Sequence, residues 1–488
     1  MSSLTRALGL PLRALWTALV IVAPTLGVWF ASSLAAYRNG PVWFVCLCGA
    51  LLFPVAPLLW ELLASRRPRP RTLTLWDRLV LRTLALNLVF LVGLMARYPE
   101  AGFAALSTRG DWFLDGRSDD TAQRARASLF RLADGLEWLY AAAHDNPYEQ
   151  LLDQGEAMLE ALERPTPPPA SPEPAPVEPS PGPDAPTPQP PEGDGDALPP
   201  WPLPAELHPL IAALPPDVET SVAAVGEHIK SSEPVQWRRI KALHDYAADR
   251  VAYDAPALAA GEYPPQDAET VFRTRLAVCA GYAQLVAELG RAAGEEIVVI
   301  TGDARLDGTD VTGQPHAWNA AKIGEHWYLL DATWDAGHVS GDAFTKEYET
   351  GYLFAPPAVQ GVTHHPDDAR WQLREAPISR GEFFRQPMMR ARFYAEGMAL
   401  VSPQRSQVAV DDALELVIDN PRGRFLLVKA EPRGGAGAAL DCAVTGRAQT
   451  RARCSFPGEG TYTVQLFSAP EEYTTYHLVG EVEVNADG

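Results

Sequence analysis

Three residue types that together can make a nucleophilic centre follow one another through the middle of the chain. They are a cysteine in "LAVCAGYAQL" (residues 276–285), a histidine in "QPHAWNAAKI" and an aspartate in "HWYLLDATW". Behind Cys279, the apolar residues Tyr282, Leu285, Val286 and Leu289 recur at i, i+3, i+4 and i+7, which predicts a helix closed by Gly290 and Gly294. Cys279 then falls at a helix N-terminus, where the macrodipole favours the thiolate that a sulfur nucleophile needs.

A lone cysteine in such a run is otherwise a small buried hydrophobe, so a catalytic reading needs a base that is itself oriented. "QPHAWNAAKI" and "HWYLLDATW" read as two strands joined at Gly324, with residues 297–301, "IVVIT", as a neighbour. A two-residue turn sets His316 opposite either Asp331 or Thr333, and the strand period of two puts both on one face, so His316 and Asp331 can touch. A nucleophile on a helix end and a His/Asp pair on an adjoining sheet, in the order Cys279, His316, Asp331, follow the logic of a cysteine triad. The supporting helix is predicted from "EPVQWRRIKALHDYAADRVAYD", with Trp237, Ile240, Leu243, His244 and Ala247 on one stripe.

With 488 residues the chain exceeds what one hydrophobic core organises, so two or three folded units are expected. The net charge of −20 and pI near 5.0 exclude a nucleic-acid binder, which needs a basic footprint to displace counterions. The five cysteines make no disulfide framework and show no C-x-x-C spacing, and no cofactor or metal site is expected. Cys46 and Cys48 lie inside an apolar run, whereas Cys442 and Cys454 lie in a strand-rich segment and could pair in an oxidising compartment.

Residues 14–36 and 42–64 are each apolar over a length that crosses a bilayer. A third stretch, 79–96, is interrupted by Arg82 and Asn87; Arg82 is close enough to one end to snorkel to the headgroups. The alternatives are an in-plane amphipathic helix for the third stretch and a cleavable signal peptide for the first. Arg66, Arg67, Arg69 and Arg71 between spans two and three, with Arg6 and Arg13 before span one, place those segments in the cytoplasm. Three crossings of a plasma or inner membrane then make the chain after residue 97 extracytoplasmic.

Residues 98–163 read as a helical stalk: Leu129, Leu132, Leu136, Leu139 and Tyr140 recur at helical spacing, and "YEQLLDQGEAMLEALE" follows as a second amphipathic stretch. Residues 164–205 are a Pro-rich linker whose composition cannot bury a core and favours extended polyproline II geometry, so it is read as a tether. From about residue 391, short strands alternate with Gly and Pro turn signals, the pattern of an antiparallel immunoglobulin-like sandwich.

The segments "AVCAGYAQL", "HAWNAAKIGEHWYLLDATWD" and "YLFAPPAVQGVTHHPDDARWQL" resemble the transglutaminase-like cysteine enzymes, and within them the kyphoscoliosis-peptidase-like branch. The resemblance covers residues 206–390. It implies a papain-like α+β core with the cysteine on a helix packed against an antiparallel sheet. It also implies Cys279 as nucleophile, His316 as general base and acid, and Asp331 as the group orienting the imidazole. The chain departs from the family at Ala277, where glycine is usual; if that position needs positive φ, alanine strains the loop before the nucleophile. The superfamily also contains inactive members.

Trp318 and Trp334 flank the expected site, either as walls of an acyl channel or as ordinary core. Asn319 faces away from His316 and is left out of the triad, while His364 and His365 have no third ligand at metal spacing and are read as packing residues. The expected fold is therefore multi-domain: transmembrane α-helices, a central α+β papain-like transglutaminase core and a C-terminal all-β sandwich. The expected function is a membrane-anchored cysteine enzyme acting on amide bonds of a protein or peptide substrate through an acyl-thioester, by hydrolysis rather than crosslinking. The alternative is a catalytically silent scaffold or adhesion protein at the cell envelope.

Overall fold

The computed structural model describes residues 10–65, 73–115, 117, 119–141, 146–149, 151, 199–306, 313–341, 343–433 and 437–486. Its N-terminal part is helical: α1 (Leu10–Tyr37), α2 (Val42–Ala50), α3 (Ala56–Ser65) and α4 (Leu75–Arg97). Ala14–Tyr37, Val42–Ser65 and Leu75–Arg97 are each long and apolar enough to cross a membrane. The third stretch is thus longer than the sequence pattern indicated, because Thr74 and Asp77 form a capping box that starts α4 ahead of the apolar run.

Its two polar residues are both engaged. Arg82 does not run out to the headgroups; with Arg78 it pairs with Glu61 of α3, so the charges compensate one another between helices. Asn87 donates to Thr83 O at 2.8 Å and to Leu52 O at 3.3 Å. Leu52 lies beside the break that Pro54 makes in the second span, where Phe53 leaves helical geometry, so Asn87 supplies a donor where the helical ladder is interrupted.

After the spans come α5 (Pro99–Arg109), α6 (Asp120–Asp134) and α7 (Glu137–Ala141). The expected leucine stripe is not the buried face of α6. Leu132 is 64% exposed, and Ala122, Phe130 and Ala133 are buried instead. This face is set by neighbours distant in sequence. Phe103 and Tyr140 pack with Phe383 and Phe384, and Arg385 reaches Ser107 O and Asp134. Most of the second amphipathic stretch and of the Pro-rich linker lies outside the described residues. The description resumes at Pro199, ahead of the expected start of the folded region: Leu203 joins the central core and Trp201 donates to Gly351 O.

The central unit sets α8 (Val222–Ser232), α9 (Gln236–Arg250), α10 (Ala268–Thr274) and α11 (Cys279–Ala293) beside a sheet. Two short strands, β1 (Ala252–Tyr253) and β2 (Leu276–Ala277), pair in parallel just before α11. The sheet is antiparallel, built from β3 (Ile297–Ala304), β4 (Gln314–Ile323), β5 (His326–Leu330), β6 (Leu353–Ala355) and β7 (His364–Pro366), in the order β6-β5-β4-β3-β7. Ile240, Leu243 and Ala247 of α9 and Leu285, Val286 and Leu289 of α11 are buried in its core, as the apolar periodicity predicts.

The C-terminal region is β-rich and folds as two facing sheets. One contains residues 388–389, 408–410, 425–432, 440–441, 460–469 and 477–486; the other contains 399–402, 413–419, 443–445 and 449–455. Alternate residues such as Leu414, Leu416, Ile418, Val464 and Leu466 fill the space between them. Met388–Met389 pairs with the last strand, so this sheet draws in chain from before residue 391. Cys442 and Cys454 form a disulfide at the edge of this core, with Cα atoms 4.4 Å apart.

Candidate active site

Cys279 is the first residue of α11, and Val278 before it is extended. The Val278 N–H donates to Gln266 Oε1 at 2.9 Å, and the Tyr282 hydroxyl donates to Val251 O at 2.7 Å, which fixes the start of the helix against β1 and the preceding loop. Gly281 is required by crowding: a Cβ there would stand 2.5 Å from Gln266 Oε1 and 2.8 Å from Ala277 Cβ. The departure at Ala277 carries no strain, because the residue lies in the extended strand β2; the left-handed residue of this loop is Arg275, at the end of α10.

The β4–β5 hairpin turns through Gly324 and Glu325, with Ile323 opposite His326. Continued in that register, His316 would face Thr333, but β5 ends at Leu330 and Asp331 instead caps a short helix, α12 (Ala332–Ala336), that follows it directly. Asp331 Oδ1 accepts from the N–H groups of Thr333 and Trp334 at 2.8 and 3.2 Å, and His316 Nε2 donates to Oδ2 at 2.7 Å. Cys279 is the second side chain, after Asp331, that interacts with the His316 ring. The structure thus brings Cys279, His316 and Asp331 together, through a helix cap rather than through two strand residues sharing a face.

Burial opposes charge on His316, yet the Asp331 carboxylate and the contact with Cys279 raise its pKa to about 10. Burial would likewise raise Asp331, but His316 and His364 together hold it well below the ordinary carboxylate range. At neutral pH the pair is therefore an imidazolium against a carboxylate.

His364 is more than a packing residue, which corrects the sequence reading. It lies on β7, and its Nε2 donates to Asp331 Oδ2 at 3.0 Å while Thr363 Oγ1 stands 2.8 Å from Nδ1. Burial pushes its pKa down, so it serves as a neutral donor. The donor atoms of His316, Asp331 and His364 lie within 4.8 Å of one another, a spacing that could hold a metal ion; here direct hydrogen bonds link the three. His365 points elsewhere, beside Phe383 and Gln372, and does pack.

Asn319 stays outside the expected triad, but its amide donates to Ala283 O at 3.0 Å and Val298 O at 3.2 Å, tying α11 to the sheet. Trp318 is buried core stacked on the His316 ring, and Trp334 is half-buried at 5.7 Å from it. Beneath α12, His244 lies between Asp245 and Asp335, with Lys241 and Tyr348 on Asp245. Burial opposes its charge, but the two carboxylates raise it to about 9. Asp335 also accepts from Tyr352 N, so this network holds the helix that Asp331 caps. Cys279 itself is 1% exposed, closed off by a cluster that includes Tyr148 from the region read as stalk.

Residues 223–332, which contain all three expected triad positions, match the Transglutaminase-like superfamily. The chain therefore carries a domain of that superfamily. Kyphoscoliosis peptidase from Mus musculus and that from Homo sapiens are each 30% identical to it over 178 residues, 35% of this chain and 27% of each relative. These similarities place the domain on the kyphoscoliosis-peptidase branch, and the match spans about a quarter of the relatives' length. A solved structure described as a TGase aligns with 27% of this chain and 34% of its own at 18% identity, with a TM-score of 0.21, too low to carry an argument.

Proposed function

We propose that this protein is a membrane-anchored cysteine enzyme that attacks amide bonds of protein or peptide substrates through Cys279. His316 already holds the proton as an imidazolium, and Cys279 Sγ bonds as the thiolate to the substrate carbonyl carbon. The C–N bond then breaks as the leaving amine receives that proton from His316, which leaves a thioester. Neutral His316 next deprotonates a water molecule that attacks the thioester; the C–S bond breaks, the acid leaves, and the sulfur anion and the imidazolium are restored. Asp331 holds the ring in the orientation both half-reactions require. One observation carries this reading: His316 donates to Asp331 at 2.7 Å and also interacts with Cys279.

Water is the proposed acceptor in preference to a lysine amine. The matched relatives are named as peptidases, and the sequence offers no legible acyl-acceptor site. The proposed organisation is an anchor at 1–97, a stalk at 98–163, a tether at 164–205, a catalytic domain at 206–390 and an immunoglobulin-like sandwich at 391–488. Arginines flank the cytoplasmic ends of the spans, and the Cys442–Cys454 disulfide suits an oxidising compartment. Both support an extracytoplasmic position for everything after residue 97.

The near-complete burial of Cys279 favours a second reading, a catalytically silent scaffold at the cell envelope. Mass analysis of casein incubated with the full-length protein separates the two. Cleavage fragments that vanish with Cys279→Ser support hydrolysis, whereas deamidation or crosslinked products move the reading to another acyl acceptor. Casein of unchanged mass supports the scaffold.

A further inference from the structure

We propose that the cleft beside Cys279 is a subsite for an aromatic side chain of the substrate, and that the chain fills it with its own Tyr148. The inference rests on reading Cys279 as the nucleophile and adds what the site recognises.

Tyr148 belongs to a stretch that composition and periodicity assign to the stalk, where an aromatic ring would be solvent-facing or packed on a neighbouring helix. It is instead 2% exposed, packed in one cluster with Cys279, Ala280, Ala283 and Ala317. Val278 belongs to the same cluster, and the three alanines beside the sulfur are small side chains against which the Tyr148 ring completes the packing. Two further aromatic rings line the cluster, beside Leu151 and Val299: the Tyr263 ring centre lies 5.6 Å from that of Tyr148, and Tyr253 packs against the same cluster. The Tyr148 hydroxyl meets that of Tyr263, so the slot satisfies the polar end of a tyrosine as well as its ring.

The segment is tied to the sheet on its N-terminal side through Asn146. Asn146 Oδ1 accepts from Tyr148 N at 3.1 Å, and Asn146 Nδ2 donates to Gly302 O at 3.2 Å on β3, next to the strand that carries His316. Leu151 packs at the rim of the same cluster. Tyr148 is tethered to the enzyme, so it competes with substrate at a high effective concentration. Catalysis then requires a peptide that presents an aromatic residue to displace it.

The test is the rate at which iodoacetamide alkylates Cys279 in the full-length protein in detergent, read by mass spectrometry on the peptide that contains it. Tyr148→Ala is expected to raise the rate about tenfold or more, as removal of an occupant present more than about 90% of the time requires. Tyr148→Phe is expected to stay slow. N-acetyl-tyrosinamide should protect Cys279 in Tyr148→Ala, and N-acetyl-alaninamide should not. Equal rates in native protein and Tyr148→Ala, or equal protection by the two amides, would overturn the proposal. Asn146→Ala, which loosens the segment but keeps the ring, provides a second variant and should accelerate labelling in the same direction. If Tyr148→Ala reacts faster than native protein yet no faster than a free thiol, the cover stands and the reading of Cys279 as nucleophile falls.

Discussion

His364 donates from Nε2 to the same Asp331 oxygen that receives His316, at 3.0 Å against 2.7 Å. That oxygen therefore lies between two imidazoles while its twin takes the N–H groups of Thr333 and Trp334, and the carboxylate cannot rotate without losing several bonds together. Removal of one such bond costs about 1–2 kcal/mol, so His364→Ala is expected to lower kcat about tenfold with little change in KM. Asp331→Asn removes the charge as well and should cost on the order of 10²–10⁴. Steady-state kinetics on a peptide substrate check both; equal activity in His364→Ala and native protein would return His364 to a packing role.

The raised His316 pKa predicts an alkaline limb. In the proposed mechanism the imidazolium is the acid that protonates the leaving amine, so kcat/KM should fall as pH rises through about 10. Asp331→Asn withdraws the main support for that charge, and the limb should move down towards an ordinary histidine value of about 6.5. A pH–rate profile in which the limb does not move would show that Asp331 does not set the His316 charge.

His244 carries a stability prediction with a defined sign. Its folded pKa, about 9, lies above the ordinary histidine value, so its contribution is complete below about pH 6.5 and is lost as pH rises through about 9. Around it stand Asp245 and Asp335, with Lys241 and Tyr348 on Asp245. Thermal unfolding followed by tryptophan fluorescence should show Tm falling across that window, with a flatter dependence in His244→Gln. An unchanged slope in the variant would remove His244 as the cause.

Gly302 faces β7 so closely that a Cβ would lie 2.2 Å from His365 O and 2.7 Å from Pro366 Cα, both backbone atoms. Gly302→Ala must therefore displace the strand that carries His364. The expected cost is about 1–3 kcal/mol of stability, with a fall in kcat like that of His364→Ala. Denaturant unfolding and kinetics on the same preparation test the coupling between strand position and rate.

The Cys442–Cys454 crosslink closes a loop of sequence separation 12 in the C-terminal sheets. Chain-entropy arguments assign such a loop about 3 kcal/mol, so a reductant should lower the unfolding transition of native protein and leave the Cys442→Ser/Cys454→Ser variant unaffected. A transition insensitive to reductant would show that the bond adds no stability.

The parts of the site that sequence alone exposes are those with local context. Cys279 is marked by the helical period behind it, and His316 and Asp331 by a hairpin with a glycine at its turn. Even there the hairpin argument reaches the right pair by an imperfect route, since Asp331 is a helix cap and not a strand residue. His364 was not legible because its contact depends on β7 pairing with β3, a register that no local period encodes. The buried face of α6 and the place of Tyr148 were hidden for the same reason: each is set by chain more than 100 residues away. The partners of Arg82 were equally invisible, since Glu61 lies on another helix and only packing brings them together.

The central claim is that Cys279 carries the acyl group of the substrate. Its most direct test is acid-quenched mass spectrometry of the Tyr148→Ala protein mixed briefly with an activated peptide ester bearing an aromatic residue. The account predicts an acyl adduct on the Cys279 peptide that is absent in Cys279→Ser and strongly reduced when His316→Ala is added. Turnover of the ester with no adduct on Cys279, undiminished in Cys279→Ser, would contradict it.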